Sequence, residues 1–545
     1  MYDMMMKRQL TILGCGLLLL SASCSSFFDV DADDMLKEED YIGESNELYS
    51  GYMGIAAKVQ DVADHAIFLS ELRSDLLEPT ANAPQELWDI YNHQSLEGNS
   101  FADPRGYYAV ILNANNFIHK AFEYRTKYPR AVDESHFGPL VSGAIRFKVW
   151  AYLMLGKLYG QAAYTDAPNV KLDELHTIPV LGMDELVNRL IQLMEVGTNQ
   201  INGQLVLNWG NVLFPGVNAA DQDLVWNMIC PSPEPLLMEL YLWAGQYSRV
   251  VEIGMPFIYD NGGNRYKIGN DDYNAEWIQV FTRNPVTKTR VLINIVPFDF
   301  ERNQTNRLIR FFSNTYPSVY YLRPTEVAMN RFRRQVRQDG HTIGDFYRGE
   351  NYTFVQQNGD WLIRKFSRDR EIASEIHKNN VHIVLYRDAD VHFFILEALN
   401  QLELFDEAEA LLNGGINLYL STHAGNLQYP FNNEVWNAQL NRNWGIRRRV
   451  DLGPVYPAGL SKNDLNTPEK VEAYKRALDE LIVEETLMES AGEARSLFTM
   501  IRMAKRWNDP AILADRVSAK YEAGMRETVR TRMMNPQNWF VHYPL

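Results

Sequence analysis

Cysteine is scarce: the 545 residues contain three, Cys15, Cys24 and Cys230. A fold stapled by several disulfides is therefore excluded, and stability must come from a core. Catalytic signatures are missing too. There is no Gly-x-Ser-x-Gly elbow, no His-Glu-x-x-His, no Cys-x-x-Cys and no phosphate-binding loop. The eleven His show no metal spacing. His377 and His382 are neighbours in a polar stretch without a companion carboxylate motif, and read as surface or core side chains. Positive charge is in deficit, with 53 Lys+Arg against 69 Asp+Glu and a formal charge of −16. That argues against nucleic acid, whose binding rests on phosphate neutralisation. Past Leu20 no run approaches the roughly 20 apolar residues that a membrane-spanning helix needs.

One short apolar run does occur, at the start. Lys7 and Arg8 precede Leu10–Leu20, and Ser21-Ala22-Ser23-Cys24 follows. A basic head, an apolar stretch and small residues before a cut site predict a secretory signal. The Cys directly after them predicts a bacterial lipoprotein signal, although Ser21 stands where such signals more often carry Leu. Cleavage would leave Cys24 as the lipidated first residue. Lys7, Arg8 and Asp3 would leave with residues 1–23, a net charge of +1, taking the rest to −17. Only Cys230 would then remain as a thiol. After Cys24, Asp29-Val30-Asp31-Ala32-Asp33-Asp34 has calcium-loop spacing. It fails as one, because Asp34 stands where Gly is needed and Asp40 where a bidentate Glu is usual. It reads as a solvated acidic tether.

Hydrophobic residues make up 46% and charged residues 22%, ordinary for a globular chain. Helical spacing of apolar residues predicts helices over 104–127, 139–160, 184–200, 235–253, 388–412 and 467–507. Asp103-Pro104 and Thr467-Pro468-Glu469 are helix starts, and Gly160 is a helix stop. Leu478, Leu481, Ile482, Glu485 and Glu489 share the spacing of the last run. Leu237, Trp243-Ala244-Gly245-Gln246-Tyr247 and Val250 align without a gap on Ile395, Gln401-Leu402-Glu403-Leu404-Phe405 and Ala408. This is the grammar of a tetratricopeptide helix pair. The stretch 255–380 reads as short β segments and turns, including Val291–Val296 and Tyr352–Val355. Residues 414–465 read as long loops, and Trp539–Leu545 as an aromatic tail packed back on the core. The predicted fold is mainly α: a stack of tetratricopeptide-like hairpins, a loop-rich irregular region and minor β segments.

The pieces, in order, resemble the SusD/RagB lipoproteins of Bacteroidetes-type bacteria over nearly the whole chain. The carrying segments are Cys24 with Phe27-Phe28-Asp29-Val30, Glu71–Asp75 with Glu78-Pro79-Thr80, and Tyr107–Asn116. Trp150–Tyr159-Gly160, Asp345-Phe346-Tyr347-Arg348-Gly349 and Tyr386-Arg387-Asp388-Ala389-Asp390 complete the set. The sequence departs from the family at Glu493-Ala494-Arg495-Ser496, Thr499–Arg502, Lys148 and Arg447-Arg448-Arg449. These departures put structural salt bridges in question more than they do the fold. The implied domain plan is a signal over 1–23 and one SusD-like domain over 24–545, with a helical part to 253 and a loop-bearing part from 254.

The resemblance implies a protein on the outer face of the outer membrane. It would capture a glycan, or in some members a peptide, and act as a lid on a SusC-like TonB-dependent transporter. No cofactor is implied. Binding sugar calls for Tyr and Trp faces against C–H surfaces, with polar groups orienting hydroxyls. The candidates are Asn82, Trp88 and Tyr91 after the Glu-Pro-Thr passage, and Trp436 and Trp444 in the Asn-rich loop. A lipid-anchored hydrolase of glycans or peptides, using a carboxylate pair, is the alternative; among 69 acidic residues some pairs stand at a suitable distance by chance.

Overall fold

The computed structural model describes residues 42–196, 210–216, 227–258, 266, 268–269, 279–282, 291–367, 381–432 and 443–543. Cys24, Trp436 and His377 lie outside them. No helix among the described residues is long and apolar enough to cross a membrane.

Apolar spacing builds the N-terminal layer. In α1 (Ser45–Val62) Leu48, Tyr52, Ile55, Ala56, Val59 and Val62 lie on one buried face. After α2 (His65–Arg73), β1 (Leu77–Pro79) and α3 (Gln85–Tyr91) come α4 (Arg105–Lys127) and α5 (Glu134–Tyr159). From Phe137 onward α5 is buried on every side, so it is the central helix. α1 and α4 pack on it, and so does α6 (Met183–Val196), which follows the antiparallel strands β2 (Gln161–Ala163) and β3 (Val180–Gly182). Glycines set these distances: a Cβ at Gly143 would stand 2.7 Å from the Tyr52 ring, and one at Gly156 2.6 Å from Met183 Sδ. Cys230 is a buried thiol, held above its ordinary pKa by burial.

α7 (Pro233–Trp243) and α8 (Tyr247–Ile258) form one helix hairpin. The middle segment supplies β4 (Leu292–Val296), α9 (Leu308–Phe312), β5 (Leu322–Pro324), α10 (Glu326–Arg333), and the paired β6 (Phe354–Gln357) and β7 (Asp360–Ile363). β8 (Ile383–Arg387) pairs antiparallel with β4 and leads into α11 (Asp388–Gln401) and α12 (Phe405–Leu412), a second hairpin. α13 (Ile416–Thr422), α14 (Ile446–Arg449), α15 (Pro468–Glu489), α16 (Ser496–Arg506), α17 (Ala511–Ser518) and α18 (Ala523–Met533) complete the chain. Both hairpins break where the tetratricopeptide alignment places the turn, with Gly245 at φ +70° and Glu403 at +64°. The reading of 255–380 as β and turns misses α9 and α10, which are too short to show a period. The division at 253/254 falls inside α8, because that helix runs on through Gly254 to pack on α7 and α11.

Charge fills part of the interior. Arg348, Arg387, Arg447, Arg449 and Lys365 interleave with Asp345, Asp388, Glu485, Glu489 and Glu493, all buried. Arg348 bonds Asp345 at 2.7 Å and Glu489 at 2.9 Å; Arg387 bonds Glu489 at 2.8 Å and Glu493 at 2.7 Å. Arg447 reaches Glu485 at 2.5 Å, Lys365 reaches Glu493 at 2.5 Å, and Arg449 pairs with Asp388 and Glu489. Among these described residues five cations meet five carboxylates, so their formal charges balance. Burial opposes ionisation of Glu493, but Arg387 and Lys365 outweigh it and hold the carboxyl at about 2. The departures at Glu493–Ser496, Lys148 and Arg447–Arg449 therefore leave salt bridges in place: Lys148 pairs with Asp166 at 2.5 Å and Arg495 with Asp390 at 2.7 Å.

The aromatic tail packs back through its described residues. Trp539 Nε1 donates to Met533 O and Val541 N to Leu158 O, each at 2.8 Å.

Candidate functional site

β1 pairs antiparallel with β5, Leu77 opposite Pro324. That pairing carries Thr80 and Asn82 to the segment before β5. Thr80 N donates to Tyr321 O at 2.8 Å, and the exposed Asn82 amide donates to Val319 O at 3.4 Å. The other sequence candidates lie elsewhere. Trp88 is half-buried on α3, edge-to-face with Tyr91 at 5.8 Å. Tyr91 is only 7% exposed, with Tyr521 against its ring at 4.7 Å and Lys520 Nζ over it at 4.5 Å. It offers no open face. Trp444 is half-buried under the Arg448 guanidinium at 4.5 Å, and its backbone N–H donates to Ile268 O at 2.7 Å. Of Asn82, Trp88, Tyr91 and Trp444, only Asn82 stands fully at the surface.

The segment that Asn82 touches borders a cleft of about 830 Å³. Its walls come from the α1–α2 junction, from Ser100, Asp103 and Gly106, from Phe298, Phe300 and most of residues 303–310, and from Pro317-Ser318. α9 is short, ending where Ser313 turns extended, and Val319 N returns to donate to Arg310 O at 2.8 Å. This bond folds Ser313–Ser318 over the end of α9. Tyr316, next to the lining residue Pro317, is 88% exposed, more than any other large apolar or aromatic side chain described. The signal for this loop was present in Ser313-Asn314-Thr315-Tyr316-Pro317-Ser318, a run of turn formers around one aromatic.

The cleft is polar. Asp64 accepts from Arg307 Nε at 3.0 Å, and Arg307 lies over Phe68 at 5.1 Å. Asp103 accepts from Arg105 Nε at 2.7 Å, and Asp61 pairs with Lys58 at 3.0 Å. Burial pushes His65 down to about 4, helped by the Arg307 charge, so its ring is neutral near pH 7. Burial alone would raise the Asp103 carboxyl, but hydrogen bonds from Arg105 outweigh it and hold the carboxyl below its ordinary value. Asn303, Gln304 and Thr305 are exposed on the rim. No group of three or more His, Cys, Asp or Glu among the described residues could hold a metal ion. The arrangement can hydrogen-bond a polyhydroxylated ligand across a wide mouth, with an aromatic face beside it.

No family model matches the sequence, and no curated protein matches it. Solved structures do. A SusD superfamily protein from Bacteroides vulgatus superposes with a TM-score of 0.61 at 13% identity, covering 91% of this chain and 95% of the other. One from Bacteroides thetaiotaomicron gives 0.60 at 16%, covering 91% and 94%. Surface glycan-binding protein A from Bacteroides thetaiotaomicron, in complex with laminarihexaose, gives 0.54 at 14%, covering 89% and 95%. The likeness runs over about nine-tenths of the chain, and the protein has the SusD fold.

Proposed function

We propose that the protein is a cell-surface lipoprotein, tethered to the outer membrane through Cys24, that captures oligosaccharide for a SusC-like TonB-dependent transporter and serves as its lid. The observation that carries this reading is the likeness to a solved glycan-binding protein holding laminarihexaose, over 89% of this chain. The polar cleft beside Tyr316 supports it, since sugar rings present C–H faces to aromatics and hydroxyls to amides. Asp61, Asp64 and Asp103 are each engaged by a cation, which suits binding better than an acid–base pair for hydrolysis.

Capture before hand-over suits affinities of roughly micromolar to millimolar, about −8 to −4 kcal/mol. Calorimetry against a glycan panel tests this. Tyr316→Ala should weaken binding by roughly three- to tenfold, about 0.5–1.5 kcal/mol, with an unchanged melting temperature. A folded protein that binds no glycan sinks the reading, and release of shortened products points to a hydrolase instead. Cys24→Ala should move the protein from the membrane to the soluble fraction, because acyl chains contribute about 0.8 kcal/mol per buried CH₂.

A further inference from the structure

The charges around the cleft are unevenly spent. Asp61, Asp64 and Asp103 are paired with Lys58, Arg307 and Arg105, and His65 is neutral. Arg310 lines the same cleft, is exposed, and its guanidinium pairs with no carboxylate among the described residues. Its backbone is pinned, because its carbonyl accepts from Val319 N at 2.8 Å. The guanidinium therefore stands on a fixed Cα at the foot of the Tyr316 loop. We propose that this cleft selects acidic oligosaccharides, chains bearing uronate carboxylates or sulfate esters, and that Arg310 receives the anionic group.

The proposal rests on the glycan-capture reading and narrows it. A guanidinium presents a planar fork of N–H donors that matches a carboxylate or sulfate with two parallel bonds. Asn303, Gln304 and Thr305 would take hydroxyls of the same residue or the next. The whole chain carries −16, so its field opposes an anionic ligand. A local unpaired cation is what such a ligand needs, whereas a neutral glycan has no use for it. The bland alternative is that Arg310 is a hydrated surface side chain with no ligand.

Calorimetry with two matched pairs of probes decides between them: tetragalacturonic acid against its methyl ester, and a sulfated galactan tetrasaccharide against its desulfated form. At least one acidic member should bind about tenfold tighter than its neutral partner at low ionic strength, the difference between a charge-assisted and a neutral hydrogen bond. Added salt should narrow the gap. Arg310→Gln should bring the acidic probe to the affinity of its partner, and Arg310→Lys should keep part of the preference. Both variants should melt with the wild type, since the side chain is exposed. Preference in the first pair alone assigns a carboxylate, and in the second alone a sulfate. Equal binding within both pairs, or equal weakening of both members by Arg310→Gln, overturns the preference while leaving glycan capture intact. Failure of these probes and of the wider panel overturns both.

Discussion

Gly245 and Glu403 hold the same place in two turns: φ is +70° at one and +64° at the other. Gln246 N donates to Tyr241 O at 2.8 Å, and Leu404 N to Leu399 O at 3.0 Å, the matching closure of each helix end. His93 and Asn508 repeat the conformation after α3 and α16. A non-glycine residue in this region costs roughly 1–2 kcal/mol, so Glu403 is held there by its hairpin and by Lys475 at 2.8 Å.

Glu403→Gly should therefore raise stability by up to about 1 kcal/mol, the backbone relief less an exposed ion pair. Gly245→Ala should lower it by about 1 kcal/mol, with no steric contribution, since a Cβ there meets nothing within 4 Å. Urea titrations of both variants measure the two effects. A destabilised Glu403→Gly would mean that the Lys475 pair outweighs the backbone.

Gly160 is a more demanding position. It combines φ +72° with the Phe540 ring 2.8 Å from the place of a Cβ. Gly160→Ala should cost about 2–4 kcal/mol, backbone strain plus overpacking. It should also loosen the tail, read as faster proteolysis near Trp539. Equal losses in Gly160→Ala and Gly245→Ala would show that the tail contact contributes nothing.

Arg387→Met should destabilise by about 3–5 kcal/mol, because it leaves Glu489 and Glu493 buried without their shared cation. Chemical denaturation measures this. A loss under about 1 kcal/mol would mean that the remaining cations re-pair the carboxylates.

Two buried carboxyls predict opposite responses to pH. Glu493 lies at about 2 when folded, against an ordinary 4.5, so its stabilisation is present above 4.5 and is lost as pH falls toward 2. Glu71 has no cation at contact among the described residues; burial raises it to about 7 against opposing hydrogen bonds from Ser74, Ser496 and Ala494 N. Its contribution is full below 4.5 and is lost as pH rises from there to about 7. Glu71→Gln removes that ionisation, so its stability relative to wild type should improve from pH 5 to pH 8. A flat difference across that range would place the Glu71 carboxyl near its ordinary pKa.

The long helices were legible because apolar residues at three- and four-residue spacing must share a buried face. Their breaks were less so. Glu403 and Asn508 carry no glycine signal, and the tertiary packing of each hairpin fixes their conformation. Glu485 and Glu489 showed the spacing of the apolar stripe in α15, but nothing in that spacing says they face arginines from three distant segments. The candidate site was least legible. Trp88 and Tyr91 follow a Pro-containing loop and looked like exposed platforms, yet α3 packs Tyr91 inward against Tyr521. Arg310 and Tyr316 matter through exposure, and Arg310 through having no carboxylate partner among the described residues, properties that exist only once the chain has folded.

The buried charge cluster around Arg387 has a further consequence for the setting in which the molecule works. Mobile ions screen charges at a surface within about 10 Å at 0.1 M salt, but they do not enter a sealed interior. Ion pairs such as Lys58–Asp61 weaken as salinity rises, while those of Arg348, Arg387 and Arg449 are screened much less. The molecule thus separates two electrical roles. Its outer charge is free to respond to the medium, and with it the hold of Arg310 on an anion. Its inner charge keeps the frame indifferent to the same change.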